Sequence, residues 1–305
     1  LILKMNHREI TKRYSELKNG QVGSMLNVIG VDEIKAFQRI AVEDTRLGIP
    51  LIFGHDVIHG YKTIFPIPLA ESCTWDMDLI KKTARTAARE ASADGLNWTF
   101  APMVDISRDA RWGRVMEGAG EDPFLGSLIA KARVEGFQGD NLSDISTIAA
   151  CAKHYAGYGF SEAGRDYNTA DFNHYTLQNT ILPPFKAAND AGVKTFMNAF
   201  NTIDEIPATG HKILQRDILK KDWAFDGFIV SDWGSIEQMI PHGFARDGNH
   251  AAELAILAGS DMDMESSLYV NELVKLVEDG KISISLIDDA VRRILNVKYD
   301  LGLFE

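Results

Sequence analysis

The sequence predicts an α/β protein built as a TIM-type (β/α)8 barrel, and three observations support this fold class. Short apolar runs alternate with helical patterns along the chain, which implies parallel strands joined by crossover helices. Polar and charged residues follow the ends of most of these runs, as they do at the active-site face of a barrel. The length of 305 residues suits one barrel, which commonly takes about 250 residues or more.

A doubly wound open sheet is the alternative arrangement for the same alternation of strands and helices. No Gly-x-Gly-x-x-Gly turn follows any early strand of this chain. A dinucleotide site would therefore lack its usual phosphate-binding turn, and the barrel is favoured.

The predicted strands are apolar runs that are rich in β-branched or aromatic side chains and are flanked by glycine or polar residues. They begin near residues 51, 98, 148, 193, 227 and 259. Because parallel strands place their carboxyl ends on one face, the polar residues that follow them are expected to meet there.

Three helices have ends that can be read from the sequence. Small and apolar residues recur at helical spacing over residues 78–94, and Gly95 follows where a left-handed stop is expected. Residues 251–258 predict a helix that Gly259 closes. Near the end of the chain, Ser285 and Asp288 resemble a capping box at the start of an apolar stripe that runs to Gly302.

Composition excludes several classes of protein. The hydrophobic content of 45% is ample for a core, and no stretch approaches the roughly 20 apolar residues of a membrane span. A net charge of −11 argues against nucleic-acid binding, which needs a basic surface. The two cysteines, Cys73 and Cys151, permit one disulfide at most and show no metal-ligand spacing, and Cys151 lies in an apolar strand. With no linker-like tract, residues 1–305 are expected to form one domain.

The most informative stretch is residues 227–234 (GFIVSDWG), where a buried strand delivers Asp232 to its polar end. Such an acid can be a placed catalytic group. It can equally cap the next helix by accepting backbone N–H bonds.

If the barrel closes, Asp56, Arg114, Lys153 and His154 converge with Asp232 on one pocket. Nearby cations are expected to favour the ionised acid and to lower the pKa of Asp232, which suits a nucleophile or an acceptor. A carboxylate that accepts two hydrogen bonds, cationic donors and the aromatic Trp233 together describe a sugar pocket.

Each of these groups also has a simpler structural interpretation. Arg108, Arg111 and Arg114 can form a salt-bridge network with the acids around them. Lys153 and His154 can be a satisfied pair at a strand end.

Several motifs, in order along the chain, closely resemble glycoside hydrolase family 3. The resemblance runs from about residue 20 to residue 304 and matches the bacterial β-glucosidase branch best. The motifs are GHDVIHG at 54–60, APMVD at 101–105, RDARWGR at 108–114, GEDP at 120–123, KHYA at 153–156, MNAFN at 197–201, PAT at 207–209 and VSDWG at 230–234.

The resemblance implies a barrel that hydrolyses terminal non-reducing β-D-glucosyl residues with retention, without a cofactor or a metal. The expected substrates are β-glucosides and short β-linked oligosaccharides. Asp232 matches the family nucleophile, which forms a covalent glycosyl-enzyme. The positions that match its sugar-binding groups are Asp56, Arg114, Lys153 and His154, with Met197 and Trp233 lining the pocket. Members of the family suggest a periplasmic or extracellular location.

The second catalytic carboxyl group is not evident in this chain. A single-domain branch uses a His in a loop that here carries Tyr158, with Ala156 in place of a Pro. The multidomain branch uses a Glu from a following α/β sandwich domain, and the chain is expected to end before that domain. The candidates within the chain are Glu162, Asp166 and Glu265.

The start of the barrel also departs from the family pattern. Residues 3–5 resemble the opening helix, but the first-strand segment before residues 21–26 is shortened or missing. The barrel is therefore expected to be incomplete or irregular around its first strand.

Two other functions remain open at this point. One is a catalytically impaired sugar-binding barrel. The other is an aldolase-like barrel in which Lys153 forms a Schiff base, which requires a neutral amine.

Overall fold

The computed structural model describes residues 14–305. The predicted opening helix at residues 3–5 lies outside them. The strands in the described part are β1 (Ser24–Leu26), β2 (Ile52–His55), β3 (Trp98–Thr99), β4 (Cys151–Tyr155), β5 (Thr195–Asn198), β6 (Thr202–Ile203), β7 (Ile206–Pro207) and β8 (Phe228–Val230).

The strands form consecutive parallel segments of a barrel-like wall. One sheet has the order β1-β2-β3 and another the order β4-β5-β8, and a parallel bridge between Trp98 and Ala149 joins β3 to the run before β4. A further bridge pairs Val230 with Met262. The Ser24 hydroxyl lies 3.8 Å from the Met262 sulfur, so the last segment returns to the first. Within residues 14–305 the wall is TIM-barrel-like, although its hydrogen-bonded ladder is not continuous.

Five of the six predicted strands are present, as β2, β3, β4, β5 and β8. The sixth, near residue 259, is reduced to the single bridge at Met262. The prediction missed β1, which is only three residues long and half-buried. β1 nevertheless pairs with β2 in register, from Ser24 opposite Ile52 to Leu26 opposite Gly54. Among the described residues β1 is an edge strand of its sheet and reaches the last segment through the Ser24–Met262 contact, so the ladder is interrupted beside β1 as well as beside β3.

Helices cover the strands on the outside. Residues 14–18 are also helical. Short 3-10 turns lie in several connections, and π-helical segments span Ile40–Asp44, Leu177–Ile181 and Ile213–Asp222. The α-helices are α1 (Val31–Arg39), α2 (Pro68–Ser72), α3 (Met77–Ala93), α4 (Pro123–Gln138), α5 (His174–Thr176), α6 (Leu182–Asp190), α7 (Ser235–Gln238), α8 (Gly248–Ala258), α9 (Leu268–Glu278) and α10 (Ile284–Asp300).

The predicted helices are present, with differences at their ends. α3 is one residue displaced from the prediction and is capped by Asp76, whose carboxylate accepts the Leu79 N–H at 2.9 Å. α8 begins three residues earlier than predicted, and Gly259 closes it in the left-handed conformation. The predicted capping box of α10 was wrong, because Ser283 is its cap and accepts the N–H of Ser285.

The core lies between the strands and the helices. Cys151 is buried in it, as expected, and Cys73 is exposed. Both cysteines are free, so the single disulfide that the sequence permitted is not formed. Among residues 14–305, no helix has the length and apolarity needed to cross a membrane.

Candidate active site

The candidate site lies at the carboxyl ends of the parallel strands, where the barrel fold builds active sites. Asp56 follows β2, Lys153 and His154 lie in β4, Met197 lies in β5, and Asp232 follows β8 by two residues.

Asp232 is held by the backbone that follows it. Its side chain is 12% exposed, and Oδ1 accepts the Trp233 N–H at 2.6 Å. Oδ2 is buried and has no hydrogen-bond partner. The capping interpretation was wrong, because the N-cap of α7 is Gly234 and no side chain caps that helix.

Burial dominates the electrostatics of Asp232. It raises the pKa of the carboxyl to about 6, although Lys153, the Trp233 N–H and Arg114 all act to lower it. The expectation of a lowered pKa was therefore wrong, because the loss of hydration outweighs the nearby cations. With a pKa of about 6, Asp232 is still mostly ionised at pH 7.

Lys153 of β4 and Asp56, which follows β2, form an ion pair. Lys153 Nζ lies 2.9 Å from Asp56 Oδ1, with 5% of the lysine side chain and 53% of the aspartate side chain exposed. A lysine that forms a Schiff base reacts as the neutral amine, and this ion pair opposes that role.

His154 connects Asp232 to a second buried acid, Asp105. His154 Nδ1 lies 2.8 Å from Asp105 Oδ2, and the His154 backbone N–H donates to the same oxygen at 2.9 Å. The other ring nitrogen, Nε2, lies 3.4 Å from Asp232 Oδ2. Neighbouring residues of a regular strand point to opposite faces, but the pairing register of β4 shifts between Lys153 and Tyr155. Both Lys153 and His154 thus reach the surroundings of Asp232.

Arg114 is oriented by Glu117, and its charge acts to lower the pKa of Asp232. Its Nε and Nη2 donate to the two Glu117 oxygens at 2.7 and 2.9 Å, and its guanidinium lies 5.7 Å from the centre of the Tyr158 ring. Glu117 and Asp232 raise the pKa of Arg114.

The predicted salt-bridge network is only partly formed. Arg111 forms an exposed pair with Asp109 at 2.6 Å. Arg108 lies over the Phe160 ring instead, with its centre 5.4 Å from the guanidinium.

The predicted apolar and aromatic groups of the site differ in exposure. Met197 is 3% exposed and lies in a core cluster with Phe228 and Val230, whereas Trp233 is 53% exposed and open to a ligand. Tyr158, at the position where the single-domain branch has its acid/base His, is fully buried, with its ring edge-on to His154 at 5.2 Å. Burial raises the pKa of Tyr158.

The three in-chain candidates for the acid, Glu162, Asp166 and Glu265, are all exposed. Asp166 accepts the indole N–H of Trp112 at 2.9 Å. Burial is the usual means of keeping a carboxylic acid protonated at neutral pH, and none of the three is buried.

Sequence reasoning missed the part that Asp105 plays. It counted Asp105 as a salt-bridge partner for the arginines, but the carboxylate is 2% exposed and contacts His154. Its position directly after the apolar Met103-Val104 was the available signal for burial.

Comparison with known proteins connects this site to a family. The family model described as the glycosyl hydrolase family 3 N terminal domain matches residues 2–297. A periplasmic beta-glucosidase of Salmonella typhimurium is 43% identical over 288 residues, which cover 94% of this chain and 38% of that protein. A beta-xylosidase of Formosa agariphila is 34% identical over 98% of this chain and 44% of its own length.

Solved structures give the same result. A beta-glucosidase from Listeria innocua in complex with glucose superposes with a TM-score of 0.93 and 46% identity, covering 98% of this chain and 43% of that chain. An exo-1,3/1,4-beta-glucanase from Pseudoalteromonas superposes with a TM-score of 0.86 and 32% identity. The chain spans about two fifths of the length of these relatives. The predicted resemblance is confirmed: the chain belongs to glycosyl hydrolase family 3 and corresponds to its N-terminal, TIM-barrel-like domain.

Proposed function

We propose that this chain is the nucleophile-bearing barrel of a retaining, exo-acting β-glucosidase. Asp232 attacks the anomeric carbon of a terminal non-reducing β-D-glucosyl residue, and water then hydrolyses the covalent glycosyl-enzyme. The observation that carries the proposal is the Asp232 carboxylate itself, which is buried at a strand end and has one oxygen without a hydrogen-bond partner. Its pKa of about 6 leaves it ionised at neutral pH.

The surrounding groups fit a glucosyl unit. Asp56 is half-exposed and offers acceptors for neighbouring hydroxyls, and Lys153 and Arg114 offer donors. Trp233 provides an exposed aromatic face, and Met197 an apolar floor. The β-glucosidases of Salmonella typhimurium and Listeria innocua are more similar to this chain than the β-xylosidase is, which supports glucose over xylose. The name of the Salmonella relative also supports a periplasmic or extracellular location.

We place the acid/base outside the barrel, on a Glu of an α/β sandwich domain. A retaining glycosidase needs two carboxyl groups roughly 5 to 5.5 Å apart. In residues 14–305, the carboxylates closest to the site are engaged: Asp56 with Lys153, Asp105 with His154, and Glu117 with Arg114. The relatives are more than twice as long as this chain, which leaves room for a domain that supplies the acid.

Covalent labelling tests the nucleophile directly. A 2-fluoroglucoside with a dinitrophenolate leaving group should add one sugar mass to the chain, because this leaving group needs no protonation. Peptide mass mapping should place the mass on Asp232. Asp232→Ala should not be labelled. Absence of label on the wild-type chain, with glucose still bound, would favour the catalytically impaired sugar-binding barrel.

A comparison of two substrates tests the missing acid. General acid/base help contributes about 10²- to 10⁴-fold, so the 305-residue chain should cleave 4-nitrophenyl β-glucoside weakly and cellobiose almost not at all. Azide should accelerate the cleavage of 4-nitrophenyl β-glucoside and yield β-glucosyl azide, since the anion attacks the glycosyl-enzyme without a general base. Comparable turnover of both substrates, with no effect of azide, would show that the acid lies within these residues. Glu162→Gln, Asp166→Asn and Glu265→Gln would then identify it.

A further inference from the structure

Two buried groups, Asp105 and His154, form a row with the proposed nucleophile Asp232. Asp105 Oδ2 contacts His154 Nδ1 at 2.8 Å, and His154 Nε2 faces Asp232 Oδ2 at 3.4 Å. Asp105 and His154 each have 1% of the side chain exposed. Tyr158 covers one edge of the imidazole.

The contacts determine how many protons this row holds. His154 Nε2 and Asp232 Oδ2 are both inaccessible to solvent, and neither has a hydrogen-bond partner. An imidazole nitrogen and a carboxylate oxygen attract each other only if a proton lies between them. The two contacts therefore need two protons, one on each side of His154.

The surrounding charges decide where those protons reside. The ionisable side chains that act on the row are Lys153, Arg114, Asp56, Glu117 and Tyr158. Burial, Arg114 and Lys153 lower the pKa of His154, which disfavours the imidazolium. Burial raises the pKa of Asp105 to about 7 and that of Asp232 to about 6. These directions favour a neutral imidazole, with one proton on the Asp105 side of His154 and the other on Nε2.

We propose that Asp105 is a positioning residue for the nucleophile: it holds a proton on the Nδ1 side of His154, so that the hydrogen on Nε2 faces Asp232 Oδ2 and Asp232 stays ionised. This inference rests on the proposed role of Asp232.

The arrangement serves both steps of the reaction. In the first step, the Asp232 carboxylate forms a bond to the anomeric carbon while the leaving group departs with its electron pair. In the second, water attacks that carbon and gives up a proton to the acid/base outside the barrel, and the electron pair of the broken C–O bond returns to the carboxylate. The Nε2–H group facing Oδ2 stabilises the returning charge, and no proton leaves the row.

Asp105→Asn separates this role from a purely structural one. The backbone N–H of His154 can only donate, so the Asn must turn its carbonyl oxygen toward it and toward Nδ1. Nδ1 then carries the hydrogen, and Nε2 presents a lone pair to Asp232 Oδ2. That contact is satisfied only when Asp232 is protonated, so the pKa of Asp232 must rise.

The readout is the pH dependence of labelling by the 2-fluoroglucoside. In the wild type, the acid limb of the labelling rate should lie near the pKa of Asp232, at about 6. In Asp105→Asn, the limb should move upward by about one pH unit or more. The matched control is Asp109→Asn, the same change at an exposed side chain that pairs with Arg111, and its limb should not move. A limb in Asp105→Asn that stays in place or moves to lower pH overturns the proposal.

Nitrogen NMR of isotope-labelled histidines provides a second measurement, which is read on the wild-type protein and does not need activity. The signal of His154 among the eight histidines is assigned by its loss in His154→Gln. In the wild type, Nε2 should show the shift of a protonated nitrogen and Nδ1 that of an acceptor. The reverse pattern overturns the proposal. The expected pattern without any labelling of Asp232 would instead refute the proposed nucleophile and leave the assignment of the protons intact.

Discussion

Two regions of the barrel bury charge in opposite ways. At the carboxyl ends of the strands, Asp232 Oδ2 is buried without a hydrogen-bond partner. At the amino ends, Lys298 of α10 is 2% exposed, and its Nζ donates to the carbonyl oxygens of Gly23 and Pro50 at 2.7 Å each. Gly23 directly precedes β1, so Lys298 ties α10 to the start of the wall.

A second buried cation follows the pattern of Lys298. Lys220 donates to Asp261 Oδ1 at 2.6 Å and to the Gly259 carbonyl at 2.8 Å. The other oxygen of Asp261 accepts the Ile229 N–H at 2.8 Å. Buried polar groups are normally satisfied in this way. Of the two regions compared, the one with the unsatisfied carboxylate oxygen is the proposed reactive site, where stability is given up for reactivity.

The strongest test of this contrast is Asp232→Asn. If Asp232 is the nucleophile, turnover of 4-nitrophenyl β-glucoside should fall by about 10³-fold or more. The free energy of unfolding should not fall with it. The Asn carbonyl oxygen can face the hydrogen of His154 Nε2, and the change removes a carboxylate whose pKa is raised by burial, so a gain of about 1–3 kcal/mol is expected at pH 7.

The pH dependence of that gain has a defined sign. The pKa of Asp232 is about 6 in the folded protein against 3.8 as the ordinary value. Ionisation therefore opposes folding fully above pH 6 and not at all below about pH 4. Urea unfolding of both proteins should show the advantage of Asp232→Asn at pH 7 and its loss at pH 4. A variant less stable than the wild type at pH 7 would contradict the contrast.

Lys220→Met should have the opposite pattern of effects. It leaves Asp261, whose side chain is 1% exposed, without its cation. Removing one partner of a buried ion pair destabilises by about 3–5 kcal/mol, and denaturant unfolding should show this loss. Labelling of Asp232 per folded molecule should remain unchanged. Lys221→Met, at an exposed neighbour, is the control and should leave stability unchanged.

The convergence of the site residues could be predicted from the sequence, whereas the electrostatics of the site could not. Asp56, Lys153, His154 and Asp232 were predicted to meet because each lies at the end of an apolar run, and chain order in a parallel barrel converts that into proximity. The structure brings them together, as the distances of 2.9 Å between Lys153 and Asp56 and of 3.4 Å between His154 and Asp232 show.

The sign of the pKa shift at Asp232 could not be predicted in the same way. Cations are visible in a sequence, but the depth at which a carboxylate is buried depends on how the whole wall closes. The role of Asp105 was missed for the same reason, since its partner His154 is 49 residues away. Short elements were missed because a strand of three residues, such as β1, leaves too little periodicity to recognise.

Lys298→Met tests the amino ends of the strands, where the buried charge is hydrogen-bonded, and its expected loss of stability is smaller than that of Lys220→Met. The loss of two hydrogen bonds to buried carbonyls should destabilise by about 1–3 kcal/mol. Burial lowers the pKa of Lys298 to about 8 from 10.5, so burial of the charge opposes folding below pH 8 and no longer does so above pH 10.5. The stability of the wild type relative to Lys298→Met should therefore increase as the pH rises from 8 to 10. Parallel pH profiles of the two proteins would show that Lys298 keeps an ordinary pKa.

Asp109→Asn should have the smallest effect, because its ion pair belongs to neither region. Arg111 lies 2.6 Å from Asp109, but 72% of the arginine side chain is exposed, and water screens such pairs. The Arg111 guanidinium lowers the pKa of Asp109 to about 2, so any contribution would be lost only in strong acid. Unfolding at low and high salt should give the same stability for wild type and variant. A loss of stability as large as that of Lys298→Met would show that distance, and not burial, decides which charges of this barrel matter.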